Sequence, residues 1–395
     1  MTLIDQSSRL MSFGGSLPKI PERLMLAHAR GEVLFLVGAG VSRPALPDFK
    51  GLVLSIYKEI EPKMHEVLSN LPSDACTNCF INLDGLLPSQ QAEVKRYINR
   101  EFDIVLGLLE RRLDGFSGLS SSVRKAVAAK LRELSQSSNG LHESLIRLAD
   151  RGGCHTILTT NFDLLLEDAA KKRRIKVASH SLGAIPRPSR ALDFSGIMHI
   201  HGALHKSPKM HSELVLTDLD FGEYYLRRRI IPDLIYDAAR LFHIVLVGYS
   251  ANDPPMKYLL NAVAADGVRF ENLRERYVFV GNRQEDLTQM EDWKGRGITP
   301  IGYDNSSNHK ALQDVLHQWA SIANIGVSLT SNEEKVLKKL FKSDPSLLDD
   351  RDKDYLSFIL RRSDMVDIKK IAFIANSVKA KPIWLDYIND VYINA

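Results

Sequence analysis

The stretch Val33-Leu-Phe-Leu-Val37-Gly38-Ala39-Gly40-Val41-Ser42-Arg43-Pro44-Ala-Leu-Pro47-Asp48-Phe49-Lys50-Gly51 decides how the rest of the chain is read. Val33 to Val37 is an unbroken apolar run of strand formers, short enough for a buried parallel strand. It runs directly into glycines. At the carboxyl end of such a strand, glycine lets the backbone turn tightly and approach a pyrophosphate. The Gly-x-Gly-x-x-Gly fingerprint is incomplete, because Arg43 holds the third glycine position. Taken alone, the glycines also fit an ordinary strand-to-loop turn. Pro44 and Pro47 disfavour a helix running on from Ser42. The turn is therefore expected to lead into a loop carrying Asp48 and Phe49 over a ligand.

Working outward, the same pattern recurs. Thr156 to Thr159 reads as a strand, followed by Thr160-Asn161-Phe162-Asp163 and a helix over Leu164 to Lys172. Asn and Asp at that place also suit helix capping. Ser195 to Ile200 is a strand leading into His201-Gly202. His199 and His201 alternate along it, and His199 reads as structural. Leu214 to Leu216 reads as a short strand, and Thr217-Asp218 as the cap of a helix holding Phe221, Tyr224 and Tyr225. Ile244 to Val247 ends in Gly248-Tyr249-Ser250, Tyr277 to Val280 in Gly281-Asn282, and Ile298 to Tyr303 is the last strand. Strands ending in polar turns and separated by helices predict an α/β fold with a doubly wound parallel sheet, Rossmann-like, whose ligand edge lies at the strands' carboxyl ends.

Helices are expected over Pro21–Arg30, over Leu52–Leu68 with an interruption at Pro62, over Gln90–Leu113, Val123–Leu134 and Leu141–Arg151. Those between about residues 84 and 150 read as a helical insertion in a domain of residues 1–320. Residues 321–395 are charged and helical, with helices over Asn332–Phe341, Asp349–Arg361 and Ile368–Ser377 and no glycine after Gly326. They form an expected small C-terminal module, for oligomerisation or partner docking or as a cap on the sheet.

Four of these motifs resemble the sirtuin family, in family order. Gly38-Ala-Gly-Val-Ser42 followed by Pro47-Asp48-Phe49-Lys50 is similar to Gly-Ala-Gly-x-Ser and Pro-Asp-Phe-Arg. Thr159-Thr160-Asn161-Phe162-Asp163 is similar to Thr-Gln-Asn-Ile-Asp, with Thr160 in place of Gln. Ile200-His201-Gly202 resembles the Leu-His-Gly or Ile-His-Gly motif, and Gly248-Tyr-Ser250 the Gly-Thr-Ser segment. The resemblance implies NAD+ as substrate, with Asn161 orienting the ribose and a water and His201 as general base. It implies Gly38, Ala39, Gly40, Ser42, Gly248 and Ser250 around the pyrophosphate and ribose, with Thr160 at the same edge. It further implies Asp163 on the nicotinamide carboxamide, Phe49 shielding the ribose and Asp48 supporting that loop.

Protein-deacetylating sirtuins carry a zinc ribbon of two Cys-x-x-Cys pairs after the catalytic histidine, whereas this chain has no cysteine after Cys154. Its layout after His201, Gly-Ala-Leu-His-Lys and soon Leu216-Thr-Asp-x-Asp-Phe221, looks like the zinc-free sirtuin-like domains of bacterial anti-phage defence proteins. That resemblance implies an NAD+ glycohydrolase that depletes NAD+ in abortive infection, without zinc. It also implies a homo-oligomer and a HerA-type ATPase as partner; the chain has no Walker A motif of its own. A protein deacylase and a non-catalytic NAD or ADP-ribose sensor remain as alternatives.

Composition agrees with this outline. The chain has 395 residues, 44% hydrophobic and 25% charged, and a net charge of +4. That balance gives no strong indication of nucleic acid, although Lys171–Arg174 and Arg227–Arg229 are local basic runs. No apolar run approaches the roughly 20 residues of a membrane span, and the first residues lack a signal pattern, so a cytoplasmic protein is expected. With three cysteines a disulfide framework is disfavoured. Cys76-x-x-Cys79 lacks a second pair to complete a zinc site.

Overall fold

The computed structural model describes residues 9–43, 45–71, 83–116, 118–135, 137–189, 194–207, 209–249, 273–282, 288–326 and 328–393. Leu10–Met11 (β1) and Ile20–Pro21 (β2) form a small antiparallel pair, followed by helix Glu22–Ala29 (α1) and the central strand Val33–Val37 (β3). Helices Phe49–Ile60 (α2), Pro62–Ser69 (α3), Pro88–Ile98 (α4), Phe102–Asp114 (α5), Ser122–Leu134 (α6) and Gly140–Leu148 (α7) precede the next strand, Thr156–Thr159 (β4). Then come Leu165–Lys172 (α8), Ser179–Ser181 (β5), Gly196–His199 (β6), Asp218–Phe221 (α9), a π-helical segment Gly222–Arg227, Ile230–Leu241 (α10) and His243–Val247 (β7). Arg276–Asn282 (β8), Thr288–Lys294 (α11), Thr299–Asp304 (β9) and Lys310–Ile322 (α12) complete the sheet region. Ser331–Leu340 (α13), Asp350–Arg362 (α14), Met365–Ser377 (α15) and Ile383–Ile393 (α16) follow.

Seven strands form one parallel sheet in the order β5-β6-β4-β3-β7-β8-β9. The chain builds outward from β3 on one side, then returns to lay β7 against the other side of β3. The crevice at the carboxyl ends of β3 and β7 is therefore the topological switch point, where open α/β sheets bind ligands. β3 is buried along its whole length. Its alternation divides the core: Val33, Phe35 and Val37 face a layer with α1, α7, α8 and α12, while Leu34 and Leu36 face a layer with α10. Phe35, His28 and the buried Trp319 meet edge-on at the centre of the first layer.

The C-terminal helices join that first layer. Leu337, Phe341, Leu356, Ile359, Ile371 and Trp384 share its buried core. Arg361 pairs with Glu22 of α1 at 2.6 Å, and the Trp384 indole N–H donates to the Ser343 carbonyl at 2.9 Å.

A third apolar cluster joins α2 to α6 with Leu204, Leu214 and Leu216. Buried ions fasten it to the loop after β6. Arg124 of α6 donates to Glu110 at 2.8 Å, to the Leu214 carbonyl at 2.8 Å and to Asp220 at 2.7 Å. Such a buried cation is tolerable because each of its three side-chain nitrogens donates to a partner and two of those partners are carboxylates.

Several element boundaries differ from the sequence reading. Gln90–Leu113 is two helices, broken at Arg100, which has a positive φ of 61°. The break folds α4 back on α5, so that Val94, Val105 and Leu109 are buried, while Leu113 on the expected face is exposed. The helix expected to reach Arg151 ends at Leu148. Leu214–Leu216 is not a strand; Leu214 makes a single antiparallel bridge to Gly202. The polar edge strand β5 has no apolar signal and was not foreseen, nor was α16.

Candidate functional site

The first strand end owes its shape to close backbone approach. Gly38 N–H donates to the Val247 carbonyl and Gly40 N–H to the Gly248 carbonyl, each at 2.9 Å. A Cβ on Gly38 would lie 2.8 Å from the Gly248 oxygen, and one on Gly40 would lie 2.9 Å from it. Gly248 itself has a φ of +74°, and a Cβ there would meet the Val41 nitrogen at 2.7 Å. The three glycines thus lock the ends of β3 and β7 together. Ala39–Ser42 then makes one turn of 3₁₀ helix, whose Ala39 and Gly40 are exposed.

Beside it, Asn161 follows β4 and is pinned at several points. Its N–H donates to Thr159 Oγ1 at 3.0 Å, and its side-chain Nδ2 donates to the Gly38 carbonyl at 3.3 Å and to Ser42 Oγ at 3.2 Å. Ser42 donates in turn to Asp163 Oδ2 at 3.0 Å, and the other Asp163 oxygen caps α8 by accepting from Leu165 N–H at 3.0 Å. Gly38, Ser42, Asn161 and Asp163 therefore form one buried network. Burial pushes the Asp163 carboxyl up from its ordinary pKa, against the hydrogen bonds that favour its charge. Both its oxygens are used within the protein.

His201 follows β6. The register pairs Thr159 with His199, so Asn161 and His201 each lie two residues beyond the paired ends of neighbouring parallel strands. Gly202 then turns with a φ of +90°, at a place where a Cβ would collide with the Glu213 carbonyl. His201 Nε2 shares a 2.6 Å hydrogen bond with the Tyr225 hydroxyl, and the Phe221 ring meets the imidazole edge-on. Burial alone pushes its pKa down to about 3, so the ring is neutral near pH 7.

The other expected residues are placed as follows. Thr160 Oγ1 lies 3.0 Å from the Tyr249 hydroxyl, and the Tyr249 ring packs over Gly38. Asp48 caps α2 by accepting from Gly51 N–H at 2.8 Å and pairs with Arg43 at 2.7 Å. The expected open loop is thus short, and Phe49 is already the first residue of α2, with its half-buried ring edge-on to Phe102 of α5. Ser250 lies outside the described residues, as do Cys76 and Cys79.

Four contributors escaped the sequence reading. Tyr225 covers His201, Tyr249 covers the glycine turn, and His142 of α7 approaches Ser42 Oγ at 3.4 Å. Glu167 of α8 pairs with His199 at 2.8 Å. Only Tyr249 had a local signal, since it directly follows Gly248. A surface cleft of about 400 Å³ opens elsewhere, lined by Leu119, Arg124, Leu214, Asp220 and Tyr224 and by none of the expected site residues. Among the described residues no group of three or more His, Cys, Asp or Glu could hold a metal ion, and no helix is long and apolar enough to cross a membrane.

Comparisons with known proteins bear on this geometry. Residues 155–301, which carry Asn161 and His201, match the model of the SIR2-like domain. Over 300 residues the chain is 32% identical to uncharacterized protein y4cA of Sinorhizobium fredii; the match covers 73% of this chain, which spans only 22% of that protein's length. A solved Sir2 enzyme structure overlays 76% of this chain and 98% of its own, at 15% identity and a TM-score of 0.35. A mutant Sir2 homologue in complex with ADP-ribose overlays 75% and 95%, at 14% identity and a TM-score of 0.30. Overlays this loose carry no weight for the site. The parallel sheet and the matched stretch together support a sirtuin-like domain, with the Asn161–His201 edge inside it.

Proposed function

We propose that the chain is an NAD+ glycohydrolase, cleaving NAD+ to nicotinamide and ADP-ribose. The observation that carries this reading is the placement of Asn161 and His201 just beyond the ends of the neighbouring strands β4 and β6, at the sheet's carboxyl edge and within the stretch matching a SIR2-like domain. The buried amide oxygens of Asn282 and Asn305, beyond the Gly248 turn, have no hydrogen-bond partner among the described residues. They fit the donors of a nucleotide's ribose or base.

The chemistry asks little of a proton donor. Nicotinamide leaves as a neutral molecule from a positively charged precursor, and the ribose passes through an oxocarbenium-like state. What accelerates such a reaction is a fixed ribose and a placed water. The Asn161 amide is held by two hydrogen bonds from its nitrogen, neither of which uses Oδ1. Oδ1 would accept from a ribose hydroxyl or the attacking water. Neutral His201 would take the water's proton as the bond to the anomeric carbon forms. A weakly basic imidazole suffices when the electrophile is already cationic. Ring displacement from Tyr225 would free Nε2 for this step.

The same reading includes depletion of NAD+ in anti-phage defence, restrained by homo-oligomerisation and a HerA-type ATPase partner. Incubating the purified chain with NAD+ and no peptide tests the core of it. Nicotinamide and ADP-ribose should appear together, and Asn161→Ala should abolish both. Binding of NAD+ without release of either product would instead favour a sensor, and release only with an acylated peptide would favour a deacylase.

A further inference from the structure

His199 was read from the sequence as a structural histidine, yet its ring touches the site. It is completely buried at the end of β6. Its Nδ1 lies 2.8 Å from the Asn161 carbonyl oxygen and its Nε2 lies 2.8 Å from Glu167 Oε1. A peptide carbonyl has no proton to give, so Nδ1 must carry one. A carboxylate likewise only accepts, so Nε2 carries the second and the ring is an imidazolium. The Asn161 peptide is then gripped from both ends, its N–H by Thr159 and its C=O by His199. Glu167 is held in its turn by the Ser179 hydroxyl of β5 at 2.6 Å.

We propose that His199 and Glu167 are a positioning pair that fixes Asn161 for ribose and water, and that loss of their shared proton sets the alkaline limit of turnover. The proposal rests on the NAD+-cleavage reading. Among the described residues, the charged groups facing the ring are Glu167 from α8 and Asp163 from the turn between β4 and α8. Burial works against the imidazolium, but the Glu167 bond and charge outweigh it and raise the His199 pKa above its ordinary value. Burial also opposes ionisation of Glu167, and the His199 bond and charge outweigh that and lower its pKa. The pair is therefore charged through neutral pH. Above the raised His199 pKa, one ring nitrogen loses its proton and one grip is lost.

The test is the pH profile of kcat and KM for the full chain, Glu167→Gln and His199→Asn, with NAD+ as substrate. Both variants should lose roughly 10- to 100-fold in kcat with KM within about threefold, because a misplaced group costs mainly the chemical step. The alkaline limb of the wild type should be absent in both. Folded variants that keep wild-type kcat and its alkaline limb overturn the proposal. Histidine-ring ¹⁵N spectra of the wild type at pH 7 give an arm independent of folding of the variants and of turnover. Two protonated nitrogens at His199 are expected, and one bare nitrogen overturns the proposal. If the wild type does not consume NAD+, the functional reading falls and the ring spectrum alone decides on the pair's charge and grip.

Discussion

His199 and His201 stand two residues apart at the end of one strand, both buried, and the protein treats them in opposite ways. The ring of His199 lies between two acceptors, a carboxylate and a peptide carbonyl. It is charged, and every donor it has is used. His201 lies under Tyr225 and Phe221 with no charge in contact among the described residues, and burial leaves it neutral. Burial alone therefore does not set a histidine's state; the partner does. The separation comes from the end of the strand: β6 stops at His199 and the chain turns through Ile200 and His201, whereas a continuing strand would point residues two apart to one face. One grips the peptide of Asn161, and the other is the residue proposed to face the reacting water.

The comparison can be broken most severely from the chemical side. His201→Ala and Asn161→Ala should each lower NAD+ turnover by roughly 100- to 10,000-fold while leaving the circular-dichroism spectrum unchanged. From the structural side, Glu167→Ala strands the His199 imidazolium in the core. It should cost about 3–5 kcal/mol in urea unfolding, the expected penalty for removing one member of a buried pair. A smaller effect is expected for Tyr225→Phe, which deprives buried His201 Nε2 of its partner and should cost about 1–3 kcal/mol by the same measurement.

The gentlest perturbation is pH. His201, His28 and His142 have folded pKa values of about 3, 4 and 4, below the unfolded value near 6.5. Between those limits the unfolded chain holds protons that the native chain lacks, so stability should fall as pH drops from about 6.5 toward 4. His199 has the opposite sign. Its contribution is present below 6.5 and fades as pH rises through its raised native value. His201→Asn should flatten the acid slope in urea titrations, and an unchanged slope would show that the ring is not held neutral.

Much of the frame was legible because it is local. Val33–Val37 and Ile244–Val247 are apolar runs that few structures other than buried strands accommodate, and the strands lie where those runs are. Gly38, Ser42, Asn161 and Asp163, predicted at two separate strand ends, meet in one network because parallel strands end on the same edge. The Gln90–Leu113 helix shows the limit. Its apolar periodicity passes through Arg100 uninterrupted, and only the gain from folding α4 onto α5 explains the break there. Glu167 and Tyr225 were invisible for a related reason. Each is an ordinary residue on a helix, and its role depends on which strand that helix crosses.

The interlocked glycines at the ends of β3 and β7 have a consequence for genetics. Gly38, Gly40 and Gly248 look like ideal targets for an inactive control, since they sit where a nucleotide is expected. Yet the first added carbon would strike the neighbouring strand's backbone before it reached any ligand. A loss-of-function phenotype from alanine at one of them would report a sheet pried apart, and a screen scoring it as lost binding would misassign the cause.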